Sequence, residues 1–113
     1  MHHLKHVKEE LKSCIEECNT CRDVCLSTAA NHCLEKGGEH VAPEHFRLML
    51  DCAEICATAA SFMLRNSPRH RLTCGICAEI CETCAKDCDR LGDMEECAKA
   101  CRSCAESCRK IAA

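Results

Sequence analysis

The chain has 113 residues, of which 16 are Cys and only two are aromatic, Phe46 and Phe62. Its formal net charge is −3, from 15 basic and 18 acidic side chains that are scattered along the sequence. This length fits a single domain, residues 1–113, and the absence of a basic stripe or acidic block argues against a nucleic-acid partner and a disordered tail.

Three groups of helix breakers divide the sequence into four helix-compatible segments. These breakers are Gly37-Gly38 with Pro43, Asn66-Ser67-Pro68, and Gly92-Asp93. The four predicted helices, A to D, cover about residues 4–36, 44–65, 69–91 and 94–111. Pro43 and Pro68 are expected at first helical positions, Ser67 as an N-cap and Gly37 as the stop of helix A. Short connections favour antiparallel neighbours, so we expect an all-α, up-down-up-down four-helix bundle with a Cys-lined core.

Helix A carries four Cys residues with a 4-3-4 spacing, namely Cys14, Cys18, Cys21 and Cys25. At about 100° per residue they fall within a stripe about 60–80° wide, which predicts a single inward face. His32 extends this stripe. Cys33 is expected about 100° away from it, provided that the helix is regular.

Helix B has fewer thiols but a similar stripe. Cys52 and Cys56 share a face with His45, Met49 and Met63. Toward its carboxyl end, Ala59 and Met63 stand where the other helices have Cys. We therefore expect helix B to contribute thioether and imidazole groups alongside its two thiols.

Helices C and D complete the pattern with spacings of 3-4-3-4 and 4-3-4. Each set occupies the a/d-like positions that Leu or Ile fill in most bundles, so the thiols are predicted to face one another across the core. The residues concerned are Cys74, Cys77, Cys81, Cys84 and Cys88 in helix C, and Cys97, Cys101, Cys104 and Cys108 in helix D.

A purely structural interpretation treats these thiols as small apolar core residues, as most buried Cys are when taken singly. Fifteen of them on four converging stripes favour a metal-binding function instead. Disulfides fit poorly, because pairs four residues apart on one helix do not satisfy the required torsions. The N-terminal segment has no apolar run typical of a signal peptide or a membrane span, so we expect a cytoplasmic protein without a membrane partner, in a compartment where thiols stay reduced.

Charge favours Cu(I) among the metals that thiolates select. Sixteen thiolates would change the net charge from −3 to −19, and burying that charge needs compensation. Four Zn(II) ions would restore it only to −11, whereas one Cu(I) per thiolate restores −3. Cu(I) also accepts two nearly collinear sulfurs, which pairs four residues apart can supply on one helix. Seven such pairs occur: Cys14/Cys18, Cys21/Cys25, Cys52/Cys56, Cys77/Cys81, Cys84/Cys88, Cys97/Cys101 and Cys104/Cys108.

At these residues the chain resembles the copper storage proteins, in particular their cytosolic branch. The resemblance covers about residues 14–113, and its most specific parts are the Cys77, Cys81, Cys84, Cys88 run and the closing Cys-x-x-Cys-Ala-Glu-x-Cys-Arg of residues 101–109. It implies a four-helix bundle whose core fills with Cu(I), a homo-oligomer such as a homotetramer, and no enzymatic step. The Cys-poor helix B and the His-rich N-terminal turn depart from the pattern and put the capacity in question.

The two ends of the predicted bundle differ. His32, His45, Met49 and Met94 fall near the A–B and C–D connections, where soft neutral ligands can pass Cu(I) inward. Leu4, Val7, Leu11 and Ile111 should close the opposite end. We therefore predict multiple Cu(I) ions per chain, bound by these four residues and all sixteen thiols: Cys14, Cys18, Cys21, Cys25, Cys33, Cys52, Cys56, Cys74, Cys77, Cys81, Cys84, Cys88, Cys97, Cys101, Cys104 and Cys108.

High-capacity cytosolic Cu(I) storage is the function that this pattern favours. Two alternatives remain open at this point, a Cu(I) delivery protein and a generic soft-metal buffer for ions such as zinc. A delivery protein should present a shallow, exposed Cys pair, whereas these stripes extend over about 16 Å of each helix. Nothing singles out one activated dithiol, so no enzyme is predicted.

Overall fold

Helices dominate the fold, which a computed structural model describes for residues 3–113. The regular elements are α1 (Glu9–Ser27), a π-helix (Thr28–Cys33), α2 (Leu34–Lys36), a 3-10 helix (Gly38–Val41), α3 (Pro43–Leu64), α4 (His70–Leu91) and α5 (Glu95–Ala112). The π-helix and α2 continue α1, so the predicted all-α four-helix bundle is confirmed.

The four long helices form a closed ring in which each helix packs against two others. α1 packs against α3 and α5, and α4 packs against the same two helices. Each pair of neighbours encloses part of one shared interior, toward which the Cys stripes of all four helices turn. None of the helices in residues 3–113 is both long enough and apolar enough to cross a membrane.

The predicted start of helix A and the predicted roles of Ser67 and Pro68 are wrong. Helix A begins at Glu9 and not at residue 4, because Lys8 has an extended backbone (ψ 135°) and the preceding residues form a turn closed by a hydrogen bond from Val7 N to Leu4 O. Pro68 and Ser67 precede α4 in a turn and do not start it. Asn66, with a φ of 53°, reverses the chain there, and its side-chain amide donates to His6 O.

Other predicted boundaries hold. Pro43 occupies the first position of α3, where its missing N–H costs no hydrogen bond. Gly37 ends α2 with a φ of 70°, a backbone conformation that glycine adopts without strain.

The π-helix changes the register of the first long helix. Its wider turn accommodates one residue more than an α-helical turn, so the inward positions after Cys25 become Ala29 and Cys33, both fully buried. The prediction that His32 lies on the inward stripe and Cys33 lies about 100° away is therefore wrong. It assumed an unbroken α-helix of 100° per residue.

Candidate metal centre

All sixteen Cys residues lie in the interior of the bundle as free thiols. None is more than 2% exposed, and the shortest separation between two Sγ atoms is 3.4 Å, far longer than a disulfide bond of about 2.05 Å. The prediction that the Cys stripes face one another is confirmed. Whether each thiol binds a metal ion remains a prediction.

The thiols form an unbroken series of groups along the bundle axis. In each group the Sγ atoms all lie within 4.8 Å of one another. Neighbouring groups share members, and the residues that connect one group to the next are Cys108, Cys104, Cys21, Cys25 and Cys101. Starting from the N-terminal end of α1, the groups are Cys14/Cys74/Cys108, Cys18/Cys77/Cys104/Cys108, Cys21/Cys56/Cys81/Cys104, Cys21/Cys25/Cys52/Cys101 and Cys25/Cys84/Cys97/Cys101.

The closest thiol contacts join different helices. Cys25 Sγ lies 3.4 Å from Cys97 Sγ and 3.5 Å from Cys101 Sγ, linking α1 to α5. The predicted intrahelical pairs make contacts as well, for example Cys21 with Cys25 at 3.9 Å and Cys77 with Cys81 at 3.8 Å. Two sulfurs that share an ion at about 2.3 Å lie up to about 4.6 Å apart, so the groups provide bridging positions between helices as well as along them.

Met49 extends the thiol series on the side of α3. Its Sδ atom lies 3.6 Å from Cys84 Sγ and 3.7 Å from both Cys88 Sγ and Cys97 Sγ. The side chain is fully buried, which places Met49 inside the thiol core and not at its rim. Farther along α3, Ala59 and Met63 are also fully buried, at positions where the other helices carry thiols.

A different set of ligand atoms occupies the end of the core near the π-helix. Cys33 Sγ lies 3.7 Å from His45 Nε2 and 4.0 Å from Met94 Sδ. The other imidazole nitrogen of His45, Nδ1, is 2.6 Å from Asp87 Oδ2. Burial raises the pKa of Asp87, but hydrogen bonds with His45 and Arg90 outweigh burial and hold this pKa below its usual value.

Two further imidazoles lie beyond this set. His32 is partly exposed, and its ring lies edge-on to that of His40 with 5.2 Å between centroids. His32 Nε2 and His40 Nδ1 are buried without a hydrogen-bond partner. The sequence analysis missed His40 because it sits in a short 3-10 turn outside every stripe. The missed signal was its position between two breakers, Gly38 and Pro43, next to the predicted His-rich end.

The opposite end is apolar, as predicted. Val7 and Leu11 are buried, and Leu4 and Ile111 pack against the same cluster. His70, at the start of α4, places its Nδ1 2.8 Å from Ser67 O in the adjoining turn. The soft-ligand end and the apolar end are thus separated by the whole length of the thiol series.

Comparison with known proteins identifies the family. The sequence model described as Csp, copper storage protein, matches residues 7–113. The chain belongs to the copper storage protein family.

Individual known proteins resemble the chain over most of its length. The cysteine-rich protein YhjQ of Bacillus subtilis strain 168 is 39% identical over 86 residues, which are 76% of this chain and 78% of that protein. The crystal structure of the Nmul_A1745 protein from Nitrosospira multiformis is 55% identical, has a TM-score of 0.90 and covers 92% of this chain and 95% of its own. The Cu(I)-bound copper storage protein BsCsp3 is 38% identical, with a TM-score of 0.85 and coverages of 93% and 100%.

Hydrogen bonding within the core of this copper storage protein makes its thiols unequal as acids. Interaction with the Cys101 thiol lowers the pKa of Cys97 to about 5, whereas hydrogen bonds with Cys21 and Cys25 raise the pKa of Cys101 above its usual value. An ionised thiolate is stabilised by neighbours that stay protonated, so successive ionisations become harder. A cation bound at each new thiolate neutralises its charge, so the next thiol ionises more easily. Thiols in such a core therefore suit monovalent soft ions.

Proposed function

We propose that the chain stores Cu(I) at high capacity, with many ions held by thiolates along the core of the four-helix bundle. The observation that carries this proposal is the unbroken series of five thiol groups joined by shared Cys residues. Isolated tetrathiolate zinc sites need four sulfurs each and retain two negative charges. Shared sulfurs instead act as bridges, and one Cu(I) per thiolate leaves the buried core neutral.

Titration of the reduced protein with Cu(I) under anaerobic conditions tests this function. We expect an endpoint well above ten ions per chain, because nearly every thiol belongs to a group that can hold an ion. A parallel titration with Zn(II) should reach a much lower endpoint. A Cu(I) endpoint near four ions would contradict storage and favour separate tetrathiolate sites.

The proposed ligands are the sixteen Cys residues together with His32, His45, Met49 and Met94. The contacts of Met49 with three thiols support a role inside the core. His45 and Met94 both contact Cys33, and His32 lies nearer to solvent. We therefore expect Cu(I) to enter at the end of the bundle that contains His32, His45 and Met94, because the opposite end is filled by apolar side chains.

Uptake rates test the proposed route. Replacing His32, His45 and Met94 together with Ala or Leu should change the rates of Cu(I) uptake and of chelator-driven removal several-fold, while the capacity falls by at most a few ions. Leu4→Ala at the apolar end is the matched control and should leave both rates near those of the parent protein. Unchanged rates in the first variant would rule this route out.

The proposal also covers the cellular location and the oligomeric state of the protein. We place the protein in the cytoplasm as a homo-oligomer, and a homotetramer is the assembly to test first by light scattering. Leu72 and Ile76, one turn apart on α4, are 68% and 51% exposed, and such apolar exposure supports association between copies. Storage needs no catalytic step, and no enzymatic activity is proposed.

A further inference from the structure

The two ends of the bundle differ in charge as well as in metal ligands. The apolar end is formed by residues 3–12, 64–73 and 106–113, which are the start of α1 with its preceding turn, the α3–α4 turn and the end of α5. These residues contain eight basic and three acidic side chains, a formal charge of +5 in a chain whose total is −3. The rest of the chain therefore carries −8. The small net charge of the whole chain conceals one strongly basic end.

Contacts between elements bring these basic side chains onto one surface. A side-chain amide of the α3–α4 turn donates to His6 O, which joins that turn to the N-terminal turn. A cleft of about 300 Å³ at this end is lined by Lys8, Arg71 and Lys110, with Glu10 as its one acidic side chain. The cations come from three separate segments, so no single run of the sequence reveals the basic surface.

Most cations at this end are not neutralised by a nearby carboxylate. Lys12, Arg109 and Lys110 form ion pairs with Glu side chains. The other five are exposed and make no ion pair with any of the described residues 3–113, namely Lys5, Lys8, Arg65, Arg69 and Arg71. Uncompensated positive charge concentrated on one surface favours an anionic partner.

We propose that this basic end binds the surface of an anionic phospholipid membrane. The bundle measures 45 by 26 by 18 Å, and the five unpaired cations lie on turns and helix ends around its blunt end, where a planar surface can contact them together. Leu64, which is 38% exposed beside Arg65, adds an aliphatic side chain at the depth of the lipid headgroups. Each phosphate-bearing headgroup supplies the negative charge that these cations lack.

Nucleic acid fits this surface less well than a membrane. The cations do not follow one helix face that could enter a groove. Phe62, the one phenylalanine near this end, is half-buried and lies 4.3 Å from the Arg65 guanidinium, so its ring is not free to stack on a base.

Binding in this orientation leaves the proposed copper entrance free. His32 and Met94 lie at the opposite end of the bundle and would face away from the membrane. The expectation of no membrane partner rested on the absence of an apolar span, which a peripheral electrostatic contact does not need. Such a contact agrees with the proposed cytoplasmic location.

Sedimentation with lipid vesicles tests this proposal on the reduced, copper-free protein, so the result does not depend on copper storage. At low salt the protein should sediment with vesicles made of equal parts phosphatidylcholine and phosphatidylglycerol, and not with vesicles of phosphatidylcholine alone. Salt at about 1 M, where the Debye length is about 3 Å, should release it. Equal binding to both kinds of vesicle, or binding to neither, would overturn the proposal.

A charge-neutralising variant locates the binding surface. The triple variant Arg65→Gln, Arg69→Gln and Arg71→Gln should bind the anionic vesicles about 100-fold more weakly than the parent, because each basic side chain near such a surface strengthens binding about fivefold. Its circular dichroism spectrum should remain helical, since these side chains are exposed.

The matched control removes the same charge elsewhere. Arg47→Gln, Lys86→Gln and Lys99→Gln together replace three exposed cations outside this end and should leave vesicle binding near that of the parent. Equal weakening of the two triple variants would overturn the assignment of the surface. Tighter binding of the parent to duplex DNA than to the vesicles would overturn the choice of a membrane. Vesicle-bound protein should reach the same Cu(I) endpoint as free protein, and a lower endpoint would overturn the orientation.

Discussion

At the scale of single residues, Cys takes the place that Leu and Ile have in other four-helix bundles. A fully buried Leu side chain contributes about 1.5–3 kcal/mol, and a thiol, being smaller, buries less apolar area. The interior is therefore built from many small side chains whose sulfur atoms lie 3.4–4.0 Å apart. Position within the thiol series, more than packing, should decide how much each Cys contributes to copper capacity.

Replacing Cys21 should remove more copper than replacing Cys74. Cys21 belongs to two thiol groups, whereas Cys74 belongs only to the three-membered group at the apolar end. Both residues are fully buried, so Ala at either position leaves a cavity of similar size. We expect Cys21→Ala to lose about two ions or more and Cys74→Ala about one, measured as the endpoint of Cu(I) titration. Equal losses of copper from the two variants would show that belonging to two thiol groups does not determine how many ions a Cys residue helps to bind.

Copper uptake should release protons and weaken as the pH falls. The raised pKa of Cys101 keeps this thiol protonated at neutral pH, so Cu(I) must displace its proton, whereas hydrogen bonding lowers the pKa of Cys97 and makes that thiol easier to ionise. The apparent affinity should fall by about tenfold per pH unit for each proton displaced. Indicator-dye titration at pH 7 should detect close to, but below, one proton per Cu(I). Affinity that rises on acidification would contradict this.

At the scale of elements, the π-helix is the feature that determines the environment of Cys33. It shifts the register of the first long helix by one residue, so that Cys33 replaces His32 as the inward side chain. Two other helix ends follow familiar rules, with Pro43 opening α3 and Gly37 closing α2. The irregular turn is therefore a specific contribution of residues 28–33.

Deleting Ala30 should restore a regular α-helix and keep Cys33 buried, because the deletion moves Cys33 into the inward position that residue 32 has in a regular helix. Ala30 is an exposed π-helical residue, so its loss removes no core contact. In the reduced metal-free variant we expect alkylation of Cys33 to stay as slow as in the parent protein, measured by peptide mass spectrometry. Inserting one Ala after Ala30 should instead turn Cys33 away from the core and speed its alkylation. Rapid labelling of Cys33 in the deletion variant would contradict the register argument.

Periodicity predicted the regular part of the structure and failed where the chain is irregular. The Cys stripes of helices C and D follow a 3.6-residue repeat, so their burial could be predicted from the sequence. No repeat signals a π-turn, so the environment of Cys33 could not be deduced from residue spacing. His40 and Asp87 acquire their roles through contacts between elements, which neither residue's local sequence records.

At the scale of the whole molecule, we expect the bundle to form without metal. The thiols pack against one another in the core, and surface ion pairs such as Arg102 with Asp89 and Arg109 with Glu82 join α5 to α4. Such exposed pairs contribute little each, about 0–1 kcal/mol. Bound copper should therefore be the largest addition to the stability of the folded chain.

Cu(I) loading should raise the melting temperature of a protein that is already helical. A single site at a free ion concentration 100 times its Kd adds about 2.7 kcal/mol, which corresponds to at least about 10 °C for a domain of this size. Circular dichroism of the reduced apo-protein should show a helical spectrum, and melting after loading should occur at higher temperature. The loaded protein treated with excess Cu(I) chelator is the control. A coil-like apo spectrum would contradict this account.

Anomalous diffraction from crystals of the Cu(I)-loaded protein at the copper edge tests the central claim most directly. We predict a continuous row of copper peaks inside the bundle, from the group of Cys14, Cys74 and Cys108 to the group of Cys25, Cys84, Cys97 and Cys101, with two or three sulfur atoms around each ion. Copper confined to surface His residues, or to a few isolated four-sulfur sites with the remaining thiols unoccupied, would contradict storage in the thiol core.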